Sequence, residues 1–219
     1  MKGGYKEDLF FDHNIAPNGD EEHMAYRCLH LEQSEIFNYF SHHNISVPPK
    51  HWRVLCQRYK TQCLGTFITE REDYNENILT SKEFALFLVG VARKCKFDGY
   101  LINIERKVST ISAFKKWLEY FTLKMHQFVP NSSVIWYDSI RARDGVVEYQ
   151  NCLSRENYEF YQITDGLFTN YWWDENRLKD SVQMKGDNKR KVYIGNDCFG
   201  RNTYGGGKMD IYKAANKIL

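Results

Sequence analysis

The residues best suited to chemistry are Asn103 and Glu105, which lie two apart in the segment FDGYLINIERKV at residues 97–108. If this apolar segment forms a β-strand, the two side chains point to the same face and lie roughly 6.6 Å apart along it. A partly buried carboxyl group can act as a general acid, an effect commonly worth about 10²–10⁴ in rate. The pair is therefore the candidate catalytic site.

Each member of the pair also has a purely structural interpretation. Glu105 could form a salt bridge with Arg106 or a neighbouring lysine, and Asn103 could satisfy buried backbone groups. The two residues together are more informative. Most glycosidases use two carboxyl groups, but some use the acetamido group of the substrate as the nucleophile. Such an enzyme needs one acid/base and one group that orients the acetamide, and Glu105 with Asn103 would supply both.

Strands and helices alternate six times around this pair. Apolar runs predict strands at residues 36–40, 64–70, 99–104, 133–137, 166–173 and 192–195. Helical spacing or capping signals predict helices at residues 51–60, 80–94, 109–129, 154–162, 174–185 and 208–219. Thr80 with Glu83 forms the pattern of a capping box, and Ser154 is a plausible N-cap. Continuous apolar strands that alternate with helices are typical of a parallel sheet covered by helices, in one domain spanning residues 1–219.

Polar residues follow nearly every predicted strand. They are Ser41, His42, His43, Thr69, Glu70, Asn103, Glu105, Tyr137, Asp138, Asn170, Asn196 and Asp197. In a (β/α)₈ barrel, the rim at the carboxyl ends of the strands is where active sites are built. This distribution favours a barrel of the TIM type over a doubly wound sheet.

Several classes of function lose support. No GxGxxG, GxxxxGK[ST], HExxH or GxSxG motif is present, so we expect no nucleotide cofactor, no metal site and no serine nucleophile. The net charge of +2 gives no electrostatic reason to expect nucleic acid. The longest apolar run, residues 84–92, is much shorter than the roughly 20 residues that a membrane helix needs. Met1 is followed by KGGYKED, which does not have the pattern of a secretory leader, so we expect a cytosolic protein.

The chain resembles the cytosolic endo-β-N-acetylglucosaminidases of glycoside hydrolase family 85. The resemblance rests on GGYKED at 3–8, YFSHH at 39–43, LGTFITE at 64–70, FDGYLINIE at 97–105, VIWYDS at 134–139, DGLFTNYWW at 165–173, IGNDCFGR at 194–201 and GGG at 205–207. It implies hydrolysis of the β-1,4 bond between the two core N-acetylglucosamines of N-glycans, carried by glycopeptides or glycoproteins. It further implies retention of configuration through an oxazoline intermediate.

The resemblance also implies a role for each residue that matches the family pattern. Glu105 would protonate the departing sugar oxygen and later activate water, Asn103 would orient the 2-acetamido group and stabilise the oxazolinium, and Tyr137 would help to hold that group. The residues implied to contact the sugar are Phe67, Glu70, Asn170, Tyr171 and Trp172. For the aromatic residues, filling of the barrel core remains the alternative.

Two features depart from the family pattern. Arg71 follows Glu70 where many relatives have an aromatic residue. A complete barrel takes about 250 residues, and the resemblance places the first and last barrel strands outside this chain. We therefore expect a partial TIM barrel of about six βα units, truncated at both ends. The alternative to an enzyme is a catalytically inactive partial barrel, a fragment or splice form, that at most binds glycans.

Overall fold

The computed structural model describes residue 28, residues 30–70 and residues 75–219. The GGYKED block and Arg71 lie outside the described residues. The strands are β1 (Ile36–Asn38), β2 (Ile45–Ser46), β3 (Gln62–Thr69), β4 (Gly99–Ile104), β5 (Ser133–Tyr137), β6 (Gly166–Phe168) and β7 (Lys191–Tyr193). The α-helices are α1 (Lys50–Tyr59), α2 (Lys82–Cys95), α3 (Ile111–Phe128), α4 (Tyr158–Ile163), α5 (Glu175–Lys185) and α6 (Ile211–Ile218).

Six parallel strands form one curled sheet in the order β1-β3-β4-β5-β6-β7. The short strand β2, which the sequence analysis did not predict, pairs antiparallel with β3 through Ile45 and Phe67. The Lys191 side chain at the start of β7 contacts the Glu35 carboxylate just before β1, so the two outer strands approach each other at their N-terminal ends. The sheet is thus an incomplete barrel, and the predicted partial TIM-type fold is confirmed.

The two faces of the sheet bury different residues. The outward face packs against the helices in the main hydrophobic core, to which β4 contributes Tyr100, Ile102 and Ile104. The inward face carries a smaller apolar cluster built on Leu64, Leu101 and Ile135. Because side chains alternate along a strand, Asn103 and Glu105 lie on the same inward face as Leu101.

Gly99 allows β4 to pair closely with β5. Its φ is +148°, and a Cβ added there would lie 1.8 Å from the carbonyl oxygen of Ser133. Residues that have a side chain rarely adopt this backbone conformation, and the Ser133 carbonyl oxygen leaves no room for a Cβ atom. Glycine is therefore required at the start of the strand that carries the candidate site.

The predicted helix caps differ from the structure. Ser81 and not Thr80 caps α2, because its Oγ accepts a hydrogen bond of 3.0 Å from the Phe84 N–H. Helix α4 begins at Tyr158, four residues later than its predicted cap Ser154. The Ser154 N–H instead donates to Asn157 Oδ1, which makes a turn before the helix.

Strand β6 is shorter than predicted, since it ends at Phe168 rather than Trp173. Asn170 Nδ2 and the backbone N–H of Trp172 both donate to Asn151 Oδ1. These hydrogen bonds to the loop after β5 take the place of pairing with β7. The segment after Phe168 thereby becomes part of the rim at the carboxyl ends of the strands.

Candidate active site

The carboxyl end of β4 brings Asn103 and Glu105 together. Asn103 is in register with Ile68 on β3, and the Glu105 N–H continues the pairing with a 2.8 Å hydrogen bond to the Thr69 carbonyl. The Asn103 side chain lies close enough to the Glu105 carboxyl group to favour its ionised form. The amide and carboxyl groups therefore lie side by side at the carboxyl end of β4, as their spacing in the sequence predicts.

The pKa of Glu105 is raised above its ordinary value. Burial is the largest cause and the nearby Glu70 carboxylate is the second, while the side chains of Asn103, Tyr149 and His42 act in the opposite direction. The largest effect of a charged neighbour on this pKa thus comes from a carboxylate and not from a lysine or arginine. A carboxyl group with a raised pKa keeps its proton more readily near neutral pH, as a general acid must.

The Asn103 side chain has an acceptor without a partner. Asn103 is 4% exposed, and its Oδ1 accepts no hydrogen bond within the described part of the chain. A buried acceptor that is left unsatisfied costs free energy. The atom is available to an N–H group of a ligand, and the alternative in which Asn103 satisfies buried backbone groups is not what the structure shows.

Tyr137 and Asn170 form the second part of the site. The Tyr137 hydroxyl, at the end of β5, donates a 2.9 Å hydrogen bond to Asn170 Oδ1. Burial and the neighbouring Glu105 carboxylate raise the pKa of Tyr137, so its hydroxyl keeps its proton. Asn170 is 1% exposed, and its Nδ2 donates to Asn151 Oδ1 at 2.9 Å. Asn170 thus lies in the site, where both polar atoms of its side chain already have partners.

Phe67 lies on the opposite face of the sheet from the site. Its side chain is fully buried in the main core, with ring centroids 5.3 Å from Phe84 and 6.2 Å from Trp117. The outward position follows from the alternation along β3, in which Leu64 points inward. The structure thus places Phe67 in the core, as in the core-filling alternative, and not among the residues of the rim.

Glu70 lies at the end of β3, close enough to Glu105 to raise its pKa. His42 Nδ1 is 2.9 Å from Glu70 Oε1 and 3.1 Å from Oε2. Both side chains are about one-quarter exposed, since their exposed fractions are 27% for His42 and 26% for Glu70. Glu70 is thus accessible on the inward side of the rim.

Tyr171 and Trp172 form an aromatic part of the rim. Their ring centroids are 5.0 Å apart at an angle of 64°, and Trp172 is 45% exposed. The Trp172 indole Nε1 donates a 3.0 Å hydrogen bond to the Arg201 carbonyl, and the Arg201 guanidinium lies 5.8 Å from the centre of the Tyr171 ring. Exposed aromatic faces held in fixed positions suit the apolar faces of sugar rings.

Two residues of the site, Tyr149 and Asp138, were missed by the sequence analysis as functional candidates. The ring of Tyr149 lies 6.2 Å from that of Tyr137, and the neighbouring Glu105 carboxylate contributes to raising the pKa of Tyr149. Tyr149 follows no strand, so no pattern marked it. Asp138 was recognised only as a polar residue after a strand.

Asp138 is fully buried and organises the loop that carries Tyr149. It accepts hydrogen bonds from the Gln150 N–H at 3.2 Å, the Asn151 N–H at 2.6 Å and Asn157 Nδ2 at 2.9 Å. Burial raises the pKa of Asp138 to about 6, although these hydrogen bonds oppose the shift.

The described residues contain no group of three or more His, Cys, Asp or Glu side chains placed to hold a metal ion.

None of the helices in residues 30–70 and 75–219 combines the length and the hydrophobicity that crossing a membrane requires.

The sequence model of glycosyl hydrolase family 85 matches residues 6–219. The cytosolic endo-beta-N-acetylglucosaminidase 1 of Arabidopsis thaliana is 36% identical over 99% of this chain and 33% of its own length. The cytosolic endo-beta-N-acetylglucosaminidases of Mus musculus and Homo sapiens are 36% and 34% identical over 100% of this chain, and 30% of each relative is covered. The chain therefore spans about a third of the length of these curated relatives.

Solved structures show the same fold. The glycoside hydrolase domain of Endo-D from Streptococcus pneumoniae R6 aligns with a TM-score of 0.66 at 19% identity, over 86% of this chain and 33% of that one. The spore cortex-lytic enzyme SleL of Bacillus cereus aligns with a TM-score of 0.51 at 11% identity, over 71% and 42%. The structural matches show the fold, whereas the sequence matches establish the family. On the evidence of the sequence matches, the chain belongs to glycosyl hydrolase family 85.

Proposed function

We propose that this chain carries the catalytic site of a cytosolic endo-β-N-acetylglucosaminidase. It cleaves the β-1,4 bond of the N,N′-diacetylchitobiose core of N-glycans, on glycopeptides or glycoproteins, with retention of configuration. The curated relatives carry this activity and this compartment in their names. The observation that carries the proposal for this chain is the unpartnered Oδ1 of buried Asn103 beside the Glu105 carboxyl, whose pKa is raised.

The proposed reaction uses the acetamido group of the substrate as nucleophile. Asn103 Oδ1 accepts the acetamide N–H and turns the acetamide oxygen towards the anomeric carbon. Glu105 donates its proton to the departing sugar oxygen as that oxygen leaves, and an oxazolinium ion forms. Glu105, now ionised, removes a proton from the water that opens this ring, and the anomeric configuration is retained after two displacements.

The remaining residues of the site hold the substrate. The Tyr137 hydroxyl is fixed by Asn170 and lies near Glu105, where it can hold the acetamido group. Tyr171 and Trp172 offer aromatic faces to sugar rings, and Glu70 offers a carboxylate to sugar hydroxyl groups. Asn170 acts through Tyr137, since both of its side-chain polar atoms are engaged.

The direct test is incubation of the chain with a glycopeptide that carries a high-mannose N-glycan. The expected products are a free glycan with one N-acetylglucosamine at its reducing end and a peptide that keeps the other, both identified by mass spectrometry. Binding of the glycan without a reducing-end product would instead support the partial barrel that only binds glycans. The absence of both binding and release would contradict the proposed enzyme and would agree with a catalytically inactive partial barrel.

Replacement of Asn103 by alanine tests the role of the substrate acetamide. We expect Asn103→Ala to lower release from the intact glycopeptide by about 10²–10³, the usual cost of losing one preorganised polar contact in a transition state. A preformed sugar oxazoline already contains the closed ring, so the variant should still hydrolyse it. Rates on the two substrates are measured side by side.

The exposed Asn216 on α6 provides the matched control for this experiment. Asn216→Ala should leave both rates unchanged. If Asn103→Ala slows both substrates equally, or neither, then Asn103 does not orient the acetamide.

A further inference from the structure

Asn151, in the loop between β5 and α4, contacts two parts of the candidate site with a single atom. Its Oδ1 accepts a 2.9 Å hydrogen bond from Asn170 Nδ2 and a 3.1 Å hydrogen bond from the Trp172 backbone N–H. A carbonyl oxygen has two lone pairs, so these two donors complete its hydrogen bonding. Asn151 is 9% exposed, and the Asn170 that it holds is almost completely buried. The two donors would therefore lose a buried partner if this oxygen were removed.

Asn151 is itself fixed by the surrounding loop. Its backbone N–H donates a 2.6 Å hydrogen bond to Asp138 Oδ2, and its side-chain Nδ2 donates to the Tyr149 carbonyl at 3.2 Å. Its φ is +59°, a left-handed conformation that asparagine adopts more readily than most residues with a side chain. The side chain of Asn151 is therefore held in one orientation, next to the end of β5.

The partners of Asn151 determine the orientation of the Asn170 amide. The Trp172 backbone N–H can only donate and the Tyr149 carbonyl can only accept, so the oxygen of the Asn151 amide must face Asn170. Asn170 then has to present Nδ2 to Asn151, which leaves its Oδ1 2.9 Å from the Tyr137 hydroxyl. The Tyr137 hydroxyl donates its proton to this oxygen. Asn151 thus fixes the Tyr137 hydroxyl through Asn170.

We propose that Asn151 is a positioning residue, which holds the Tyr137 hydroxyl through the Asn170 amide and the aromatic rim through the backbone of Trp172. The catalytic consequence rests on the proposed function, in which Tyr137 holds the acetamido group while Tyr171 and Trp172 contact sugar rings. One oxygen atom then keeps the group that acts on the reacting sugar in a fixed relation to the surface that binds its neighbours. Its loss should affect both the reaction and the binding of the glycan.

The first test is Asn151→Gly in the intact chain. Glycine adopts a positive φ without strain and keeps the N–H group that Asp138 accepts, so only the amide side chain is lost. On a high-mannose glycopeptide we expect kcat to fall by about 10-fold and KM to rise by about 3-fold, because the two buried donors lose their acceptor. A variant that is only less completely folded would lower the apparent kcat and leave KM unchanged.

The two hydrogen bonds can also be followed without any reaction, by ¹H–¹⁵N NMR. The Asn170 side-chain signals are assigned by their absence in Asn170→Asp, and the Trp172 signal by backbone assignment. In Asn151→Gly the protons of both groups should move upfield, because they lose their acceptor.

Asn131, in the turn before β5, provides the matched control. It is exposed and has a φ of +60°, so Asn131→Gly makes the same chemical change in the same backbone conformation, at the opposite end of the strand from the site. This control should leave kcat, KM and both NMR signals unchanged.

A second variant, Asn151→Asp, keeps an oxygen for both donors and loses only the donor to the Tyr149 carbonyl. Its kcat, KM and NMR signals should lie closer to wild type than those of Asn151→Gly. Equal losses in the two variants would overturn the role of Oδ1. If Asn151→Gly does not fold, Asn151→Asp is compared with wild type alone, and loss of both hydrogen-bonded signals then overturns the proposal.

Failure of this proposal is distinguishable from failure of the proposed function. If the wild-type chain releases glycan but Asn151→Gly changes neither the kinetic constants nor the NMR signals, the role of Asn151 is overturned and the proposed function stands. If the wild-type chain releases no glycan, the proposed function fails, and the NMR signals still decide whether Asn151 holds Asn170 and Trp172.

Discussion

Replacement of Glu105 by glutamine is expected to abolish release of high-mannose glycans from a glycopeptide. Glutamine has nearly the same shape but no proton to donate, and it cannot activate water in the second step. Loss of one acid/base costs about 10²–10⁴ in rate, and both proposed steps depend on this residue. The measurement is the initial rate of reducing-end product, followed by mass spectrometry at several enzyme concentrations. Activity within threefold of wild type would rule out Glu105 as the acid/base.

The stability of Glu105→Gln separates a catalytic from a structural role. Burial and Glu70 raise the pKa of Glu105 in the folded protein above its value in the unfolded chain. The folded protein then binds this proton more tightly, so the stability linked to Glu105 falls as the pH rises through the window between the two pKa values. Above this window, the neutral glutamine should fold at least as stably as wild type, as measured by thermal unfolding.

The exposed Glu119 on α3 offers a control with the same chemical change. Glu119→Gln should alter neither the rate of glycan release nor the midpoint of unfolding. A Glu105→Gln variant that loses activity only because it unfolds would point to a structural role for the carboxyl group.

Replacement of Asp138 by alanine is expected to cause the largest loss of stability among the site residues. Asp138 accepts hydrogen bonds from Gln150, Asn151 and Asn157 in a fully buried position. Alanine would leave these donors buried without a partner, at about 1–3 kcal/mol each before relaxation. We expect a net loss of about 3–5 kcal/mol, which lowers the midpoint of thermal unfolding by roughly 10 °C in a chain of this size.

Glycan release by Asp138→Ala should also fall at temperatures where the variant is still folded, because the loop that positions Tyr149 loses its anchor. Asp180→Ala, on the exposed side of α5, is the matched control and should be neutral. If the midpoint of thermal unfolding of Asp138→Ala lies within about 2 °C of the wild-type midpoint, the loop does not depend on the hydrogen bonds to Asp138.

The protonation of Asp138 gives a pH dependence that can be checked in the same experiment. Burial raises its pKa to about 6 in the folded protein, whereas an aspartate in an unfolded chain has a pKa of about 4. Between these values the folded protein binds more protons, so the stability linked to Asp138 is present in full below the lower pKa and declines as the pH rises towards the upper one. Relative to Asp138→Asn, the wild type should therefore lose stability across this window. A relative gain would contradict the direction of the shift.

The elements whose pattern is local were predicted well. Strands β4 and β5 have the predicted limits, and α5 begins and ends within the predicted segment. Helical spacing and strand hydrophobicity depend on near neighbours in the chain, so they can be read from the sequence. The same holds for the placement of Asn103 and Glu105 on one face, because alternation along a strand is a property of the extended backbone.

The direction of the Phe67 side chain could not be predicted from local sequence patterns. Strand β3 is buried on both faces over most of its length, so its sequence does not alternate between apolar and polar residues. Only the register against β4, and the helices that cover one face, decide that Leu64 points inward and Phe67 towards Phe84 and Trp117. A residue within a family motif can therefore pack in the hydrophobic core even when neighbouring residues of the motif form the site.

The sequence by itself determined that strands alternate with helices, that an amide and a carboxyl share one face of β4, and which family the chain resembles. Only the tertiary structure decided what surrounds that pair: Tyr149 and Asp138 from an irregular loop, Asn170 behind Tyr137, and Glu70 beside His42. The physical reason is the range of the interactions. Tyr137 meets Asn170, and His42 meets Glu70, through hydrogen bonds between residues 33 and 28 positions apart. Such contacts, and the burial that raises the pKa of Glu105, exist only once the sheet has curled and its loops have met at the rim.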